Sequence, residues 1–301
     1  MMQERITLEY YVLDVFSNTS YKGNPLAVVF TKGHLTLEVY QNIAKEFGYS
    51  ETSFVFYSKE HKALLVRSFT PIGIEIDGAG HNLLGAVCGA LLKKMPIFEQ
   101  QQENNHFVIM KNAPTPLTVK FDPITNDPIV QMHQKSAVIK QEIPTYKIAV
   151  ALGLKIEDLD SNDFVPTIVK TEVAHILVPI KNSQLLNDCL PDNKLLIEIS
   201  KEYQFEGFYC FTITKGNEEH IAEARFFNPL IGINEDPATG TAAGPLIGYL
   251  TQKKCAIPNK EYKILQGVKL KHPSLIEVLN RDHDILVGGS SVITMRGELY
   301  I

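Results

Sequence analysis

The sequence predicts an α+β protein of two pseudo-symmetric sister domains, each wrapping strands around one buried central helix, with an active-site cleft between them. Three observations carry this expectation. The chain has 301 residues, more than one hydrophobic core usually serves. Residues 225–250 read as a strand, a polar loop at 234–241 and an apolar helix in one uninterrupted run. Residues 67–92 follow the same plan: Arg67, Phe69 and Pro71 stand 158 residues before Arg225, Phe227 and Pro229, and Gly80 stands 160 before Gly240. One small indel reconciles the two registers, and a repeat of this length means sister domains rather than a solenoid.

In the first half, residues 8–16 are β-branched and aromatic enough for a strand, the turn residues Gly23, Asn24 and Pro25 follow, and 26–30 form a second strand. Residues 36–47 carry Leu37, Tyr40, Ile43, Ala44 and Phe47 at helical spacing, with Thr36 as N-cap and Gly48 just past the end. Strands are expected at 54–57 and 63–69. The helix from Gly80 to Leu92 is apolar or small around its circumference, so protein must surround it. A polar turn at 100–105 and short strands at 107–110 and 116–121 complete the half. The breaker cluster 122–128, Asp-Pro-Ile-Thr-Asn-Asp-Pro, is the expected boundary, giving domains 1–122 plus 284–301 and 123–283.

The second half repeats this grammar. Strand 129–133, helix 146–152 ended by Gly153, strands 165–170 and 175–178, helix 193–203, and strands 208–214 and 222–227 lead into the second central helix. Strands at 263–266, 276–279, 285–287 and 292–295 follow, with Arg296-Gly297 expected to turn into 298–301.

Composition narrows the function classes. Lys plus Arg number 29 against 34 Asp plus Glu, scattered rather than blocked, so no footprint for nucleic acid or an anionic membrane is present. No apolar run reaches the roughly 20 residues of a membrane span. Cys88, Cys189, Cys210 and Cys255 lie far apart and are expected to be buried thiols; with no signal segment opening the chain, they suit a cytoplasmic setting. His and Cys never cluster at metal-ligand spacing, and no dinucleotide fingerprint, phosphate loop or nucleophile elbow occurs.

Each central helix starts with glycine and small polar residues, where unpaired amides and the positive dipole end can hold a carboxylate. A small-molecule carboxylate is the expected substrate, at Gly80 and at Gly240-Thr241. Three side chains stand out for chemistry. Glu51, in a helix-to-strand loop flanked by aromatic and apolar residues that could desolvate it, is a candidate base of raised pKa, although a glutamate in such a loop is more often a solvated acid. His81 opens a helix that asks for no imidazole; a capping or core-satisfied histidine is the alternative. Asp236, before Pro237, reads as an N-cap, a role compatible with catalysis.

Asp14-Val-Phe with Gly23-Asn-Pro-Leu-Ala-Val-Val, Ser50-Glu-Thr-Ser-Phe54, Arg67-x-Phe-Thr-Pro71, Ala79-Gly-His-Asn-Leu-Leu-Gly85 and above all Glu235-Asp-Pro-Ala-Thr-Gly-Thr-Ala-Ala243 resemble the phenazine-biosynthesis isomerase family (PhzF-like), which shares the diaminopimelate-epimerase fold. The likeness runs over nearly the whole chain. It implies curved, mostly antiparallel sheets, C-terminal strands returning to the first domain, a homodimer, and cofactor-free acid–base chemistry. In that chemistry one carboxyl group carries a proton from one carbon of the substrate to another. By this resemblance Glu51, His81 and Asp236 are catalytic, and Ser50, Gly80, Gly240 and Thr241 bind substrate. Asn82 departs from the usual proline, Thr241 from serine, and the region of Gln266-Gly267 lacks an arginine; a run from Pro71 to Gly80 that differs by about one residue from the pattern leaves Glu75 and Asp77 without assigned roles. An amino-acid racemase with two opposed thiols would need cysteines where Ala79 and Thr239 stand. A small-molecule-binding protein without activity is the remaining alternative.

Overall fold

The computed structural model describes residues 6–76, 78–99, 106–160, 164–214, 216 and 219–301. Asp77 and the turn expected at 100–105 lie outside them. The chain divides into two compact units, Met1–His133 with Gly288–Ile301, and Gln134–Val287. The divisions thus fall at 133/134 and 287/288, later than the expected 122/123 and 283/284. The breaker cluster instead makes a turn inside the first unit, where Asp122 Oδ1 accepts from the amides of Ile124 and Thr125.

In the first unit β1 (Thr7–Val15), β2 (Asn24–Phe30), β3 (Thr52–Ser58), β4 (Ala63–Phe69), β5 (His106–Met110), β6 (Ala113–Phe121) and β7 (Pro128–Lys135) are neighbours in that order. β2–β3 and β4–β5 are parallel and the other pairs antiparallel. The parallel steps are the two places where a helix carries the chain across: α1 (Leu37–Phe47) after β2 and α2 (His81–Leu92) after β4. α1 has the expected ends, with Thr36 Oγ1 accepting from the Val39 amide and Gly48 left-handed at φ 67°. Its Tyr40, Ile43 and Ala44 pack with Leu8, Val29, Phe54 and Phe69 on one face of the sheet, each large side chain contributing about 1.5–3 kcal/mol of burial. α2 is buried from His81 through Ala90. Gly85 lets it approach the strands: a Cβ there would come within 2.6 Å of Leu26 and 2.7 Å of Val15 side-chain atoms.

The second unit builds the same series. β8 (Val138–Glu142), β9 (Thr167–Lys170), β10 (Ala174–Pro179), β11 (Gly207–Ile213), β12 (Ala222–Asn228), β14 (Glu261–Gln266) and β15 (Ser274–Asn280) are neighbours in that order, and β13 (Ile233–Asp236) pairs with β12 beside the path. Here too two pairs are parallel, β10–β11 and β12–β14, each after a helical crossover. The crossovers are α4 (Ser183–Asp188) with α5 (Asn193–Tyr203), and α6 (Gly240–Gln252); α3 (Thr145–Ala151) precedes β9. The run antiparallel, parallel, antiparallel, parallel, antiparallel therefore occurs twice, and the expected duplication is present strand by strand. α6 is the second buried helix, and Ile148, Leu196, Ile199, Phe208 and Phe227 belong to the core cluster on the other face of the sheet.

The repeated Arg-x-Phe has a physical reason. Arg67 lies 4.6 Å over the Tyr40 ring and 5.1 Å over Phe69, and it grips Glu75 with Nε and Nη2, both at 2.7 Å. Arg225 lies 4.9 Å over Phe227 and grips Glu235 in the same way, at 2.9 and 2.8 Å. Glu75, unassigned by the sequence, is thus the counterpart of Glu235.

β16 (Asp284–Tyr300) is one strand where separate strands and a turn were expected, and within the first unit it pairs with β1 from Thr7↔Tyr300 to Val15↔Ser291. Its glycines serve close approach rather than turns. A Cβ on Gly288 would lie 2.0 Å from the Val130 carbonyl oxygen, a backbone atom that cannot step aside. Gly288→Ala is expected to destabilise the first unit by about 1–3 kcal/mol, read as a lower urea midpoint with an unchanged m-value. β8, α4 and β13 were not expected, and Cys255 is exposed rather than buried. Among the described residues no helix is long and apolar enough to cross a membrane.

Candidate active site

Glu51 sits one residue before β3, and His81 is the first residue of α2. Two contacts inside the first unit bring them together. Ser53 donates from Oγ to the Asn82 carbonyl at 3.0 Å and meets Ser68 Oγ at 2.9 Å, fastening the start of α2 to β3 and β4. As a result His81 Nδ1 lies 3.6 Å from Glu51 Oε2, and His81 Nε2 lies 3.4 Å from Ser50 Oγ. Ser50 and His81 are within hydrogen-bond reach, and the His81–Glu51 contact is too long for a hydrogen bond, of a length that substrate binding commonly closes.

The charge state of this cluster is set by burial. His81 is 8% exposed, and desolvation lowers its pKa to about 4. The imidazole is therefore neutral at pH 7, and its contact with Glu51 is not an ion pair. A neutral ring can donate at one nitrogen and accept at the other, and can exchange these roles. The same depressed pKa bears on stability. The unfolded chain protonates this histidine near its ordinary 6.5 and the folded chain near 4, so unfolding takes up a proton between those values. Stability should fall as pH drops from 6.5 toward 4, by at most about 1.4 kcal/mol for each tenfold rise in proton concentration. Urea midpoints measured across that range should decline less steeply in His81→Gln.

Gly80 caps α2, and its carbonyl accepts from Leu83 and Leu84 at 3.1 and 3.2 Å. Its amide donates to Asn82 Oδ1 at 2.8 Å, while Asn82 Nδ2 donates to the Gly78 carbonyl at 3.2 Å. The asparagine that replaces proline thus closes a turn over the helix start. The amides of His81 and Asn82 are the first-turn groups with no intrahelical acceptor.

In the second unit the corresponding cap is Thr239, whose carbonyl accepts from Ala242 and Ala243, both at 3.1 Å. Asp236 is the last residue of β13 and not the N-cap expected. The chain needs three more residues to turn into the helix, and Asp236 Oδ2 accepts from the Thr239 hydroxyl at 2.5 Å. Gly240 and half-buried Thr241 make the first turn of α6, with the Gly240 carbonyl accepting from Gln134 Nε2 at 3.0 Å. Measured by their caps, the two helix starts are 159 residues apart, one fewer than the Gly80-to-Gly240 spacing.

One organising residue of this second group escaped the sequence reading. Gln266, fully buried, donates to the Asp236 carbonyl at 2.9 Å and the Thr239 hydroxyl at 3.1 Å, and accepts from the Thr239 amide at 3.2 Å. It holds the loop from Asp236 to Thr239 in shape from a strand 27 residues downstream of Thr239. The sequence drew attention to this position only through a missing arginine. Tyr209 is a second such residue: its hydroxyl is fully buried, and burial together with the charge of Asp236 raises its pKa, so that it stays a neutral phenol.

The structure therefore assembles Ser50, Glu51, Gly80 and His81 at one helix start, and Asp236, Gly240 and Thr241 at the other. The comparisons with known proteins cover this whole frame. A protein of Clostridium acetobutylicum named as an uncharacterised isomerase is 30% identical over 304 residues, covering 97% of each chain. A Pseudomonas aeruginosa protein named trans-2,3-dihydro-3-hydroxyanthranilate isomerase is 30% identical over 274 residues, covering 88% of this chain and 87% of its own. A crystal structure of a Bacillus anthracis phenazine biosynthesis protein of the PhzF family superposes with a TM-score of 0.85 at 25% identity, over 98% of this chain and all of that one. The profile of the phenazine biosynthesis-like proteins matches residues 13–297, and this chain belongs to that family.

Proposed function

We propose that the protein is an isomerase that moves a proton within a small carboxylate-bearing substrate by acid–base catalysis without a cofactor. The observation that carries this reading is the cluster of Ser50, His81 and Glu51 at the start of α2, with its imidazole held neutral by burial. Glu51 as carboxylate removes a proton from one carbon, becomes the carboxylic acid, and returns the proton to another carbon of the same molecule. The neutral His81 faces Glu51 with Nδ1, ready to hydrogen-bond it once substrate draws the two together, and keeps Ser50 hydrogen-bonded at Nε2. The substrate's carboxylate is held by first-turn amides of α2, and Asp236 with the Thr241 hydroxyl, at the start of α6, supplies further acid–base and hydrogen-bonding groups to the reaction.

The racemase alternative needs opposed thiolates, and the Thr239 hydroxyl is committed to Asp236. The binding-only alternative is distinguished by exchange. trans-2,3-Dihydro-3-hydroxyanthranilate, the compound in the name of the Pseudomonas aeruginosa relative, and other cyclic dienoic carboxylates would be incubated with the protein in heavy water and followed by NMR. Deuterium at a ring carbon with migration of a double bond supports the isomerase. Binding with neither deuterium uptake nor migration of a double bond in any of them leaves the binding-only reading.

A further inference from the structure

The duplication gives each residue of the second unit a counterpart in the first. Arg67 is opposite Phe54 across β3 and β4, and Arg225 is opposite Cys210 across β11 and β12. One step along, the opposed pair Ser53 and Ser68 of the first unit corresponds to the opposed pair Tyr209 and Phe226 of the second. The two serine hydroxyls meet, and Ser53 donates to the carbonyl of Asn82, the second residue of α2. Tyr209 makes no such bond to the start of α6. Among the described residues its hydroxyl, fully buried, has no hydrogen-bond partner.

A phenol hydroxyl stands much farther from its strand than a serine hydroxyl, and the register shows what lies beside it. Tyr209 is opposite Phe226, and Phe226 is opposite Asp236. Directly opposed residues of antiparallel strands carry their side chains on one face, so the three form a row across β11, β12 and β13, on the face away from Phe208 and Phe227. The Phe226 ring leans out of this row. It covers Gly207, where a Cβ would come within 2.3 Å of it, and meets the His175 ring edge-on at 5.3 Å. Burial and the nearby Asp236 charge keep the phenol protonated, so it is a donor. A buried O–H without an acceptor costs stability, and a native protein that keeps one has a use for it.

We propose that Tyr209 is a positioning residue for Asp236, its hydroxyl donating to the Asp236 carboxylate when substrate engages that group. Thr239 already donates to Oδ2, and a second donor fixes the plane of the carboxylate toward the reacting molecule. A charged acceptor makes such a bond stronger than one between neutral groups.

The role rests on the isomerase reading, and one assay separates the two. Wild type, Tyr209→Phe, Asp236→Ala and the double variant would be compared in heavy water with trans-2,3-dihydro-3-hydroxyanthranilate and the other cyclic dienoic carboxylates. Phenylalanine keeps the ring and removes only an unpartnered hydroxyl, so the urea midpoint of Tyr209→Phe should equal or exceed that of the wild type. Its kcat should fall about tenfold, with KM within about twofold. In the Asp236→Ala background the same substitution should change kcat by less than about twofold. A lowered urea midpoint, an unchanged kcat, or an equal loss with and without the Asp236 carboxylate would each overturn the role while leaving the isomerase reading intact. A wild type that moves no proton in any of these compounds overturns the isomerase reading and this role with it.

Discussion

Replacing Glu51 by glutamine is expected to abolish transfer of solvent deuterium into the substrate while leaving substrate binding within about twofold. Glutamine keeps the shape of the side chain and its capacity to hydrogen-bond His81, and removes only the ability to accept a proton from carbon. General-base groups contribute about 10²–10⁴-fold, and a group that both removes and returns the proton has no substitute in the Ser50–His81 chain, because His81 is already neutral and a weak base with a pKa of about 4. His81→Asn and Asp236→Asn should lower kcat less than this. Exchange that persists in Glu51→Gln would refute the shuttle, and a raised KM with unchanged kcat would make Glu51 a binding residue only.

The second large effect separates two copies of one ion pair. The Arg225 and Glu235 side chains are 6% and 13% exposed, against 28% and 26% for Arg67 and Glu75. Removing one partner of a buried pair strands a charge away from water and costs about 3–5 kcal/mol, and Arg225→Met additionally orphans three carbonyls of the α4 end. Arg67→Met leaves Glu75 within reach of water, where such pairs are worth about 1 kcal/mol or less. Urea unfolding should therefore show a severe loss for Arg225→Met and a mild one for Arg67→Met, with Glu235→Gln in the Arg225→Met background recovering part of the loss. Equal losses from the two arginines would show that burial does not govern these pairs.

The difference between the copies also marks what a sequence can reveal. Arg-x-Phe is visible twice as letters, and α1 and α5 were legible to within a residue because their apolar positions recur at 3.6 and their ends carry caps. β8 is exposed along its length and has no apolar face to alternate, α4 has six residues, and β13 is four residues held against β12. None of the three has a local signal. β16 was broken up because glycine reads as punctuation, whereas here it marks backbone lying against backbone.

The candidate site divides along the same line. His81 stood out as an imidazole opening an apolar helix, and Asp236 as an acid before a helix start, although its role as a cap passed to Thr239. Glu51 was one loop acid among others until the family resemblance singled it out, since its link to His81 depends on Ser53 meeting Asn82 from 29 positions away. Gln266 could not be found locally at all, because all its partners lie upstream on other elements.

The pairing of β16 with β1 has a consequence for how the protein is made. During synthesis the residues carrying Glu51 and His81 leave the ribosome well before β16, and β1, the first strand of their unit, keeps an uncovered edge until residues 291–300 are released. The first unit to be translated is thus the last to be finished. A nascent chain halted before residue 288 would expose that edge, and loss of β16 should disable the unit whose other strands lie farthest from it in sequence.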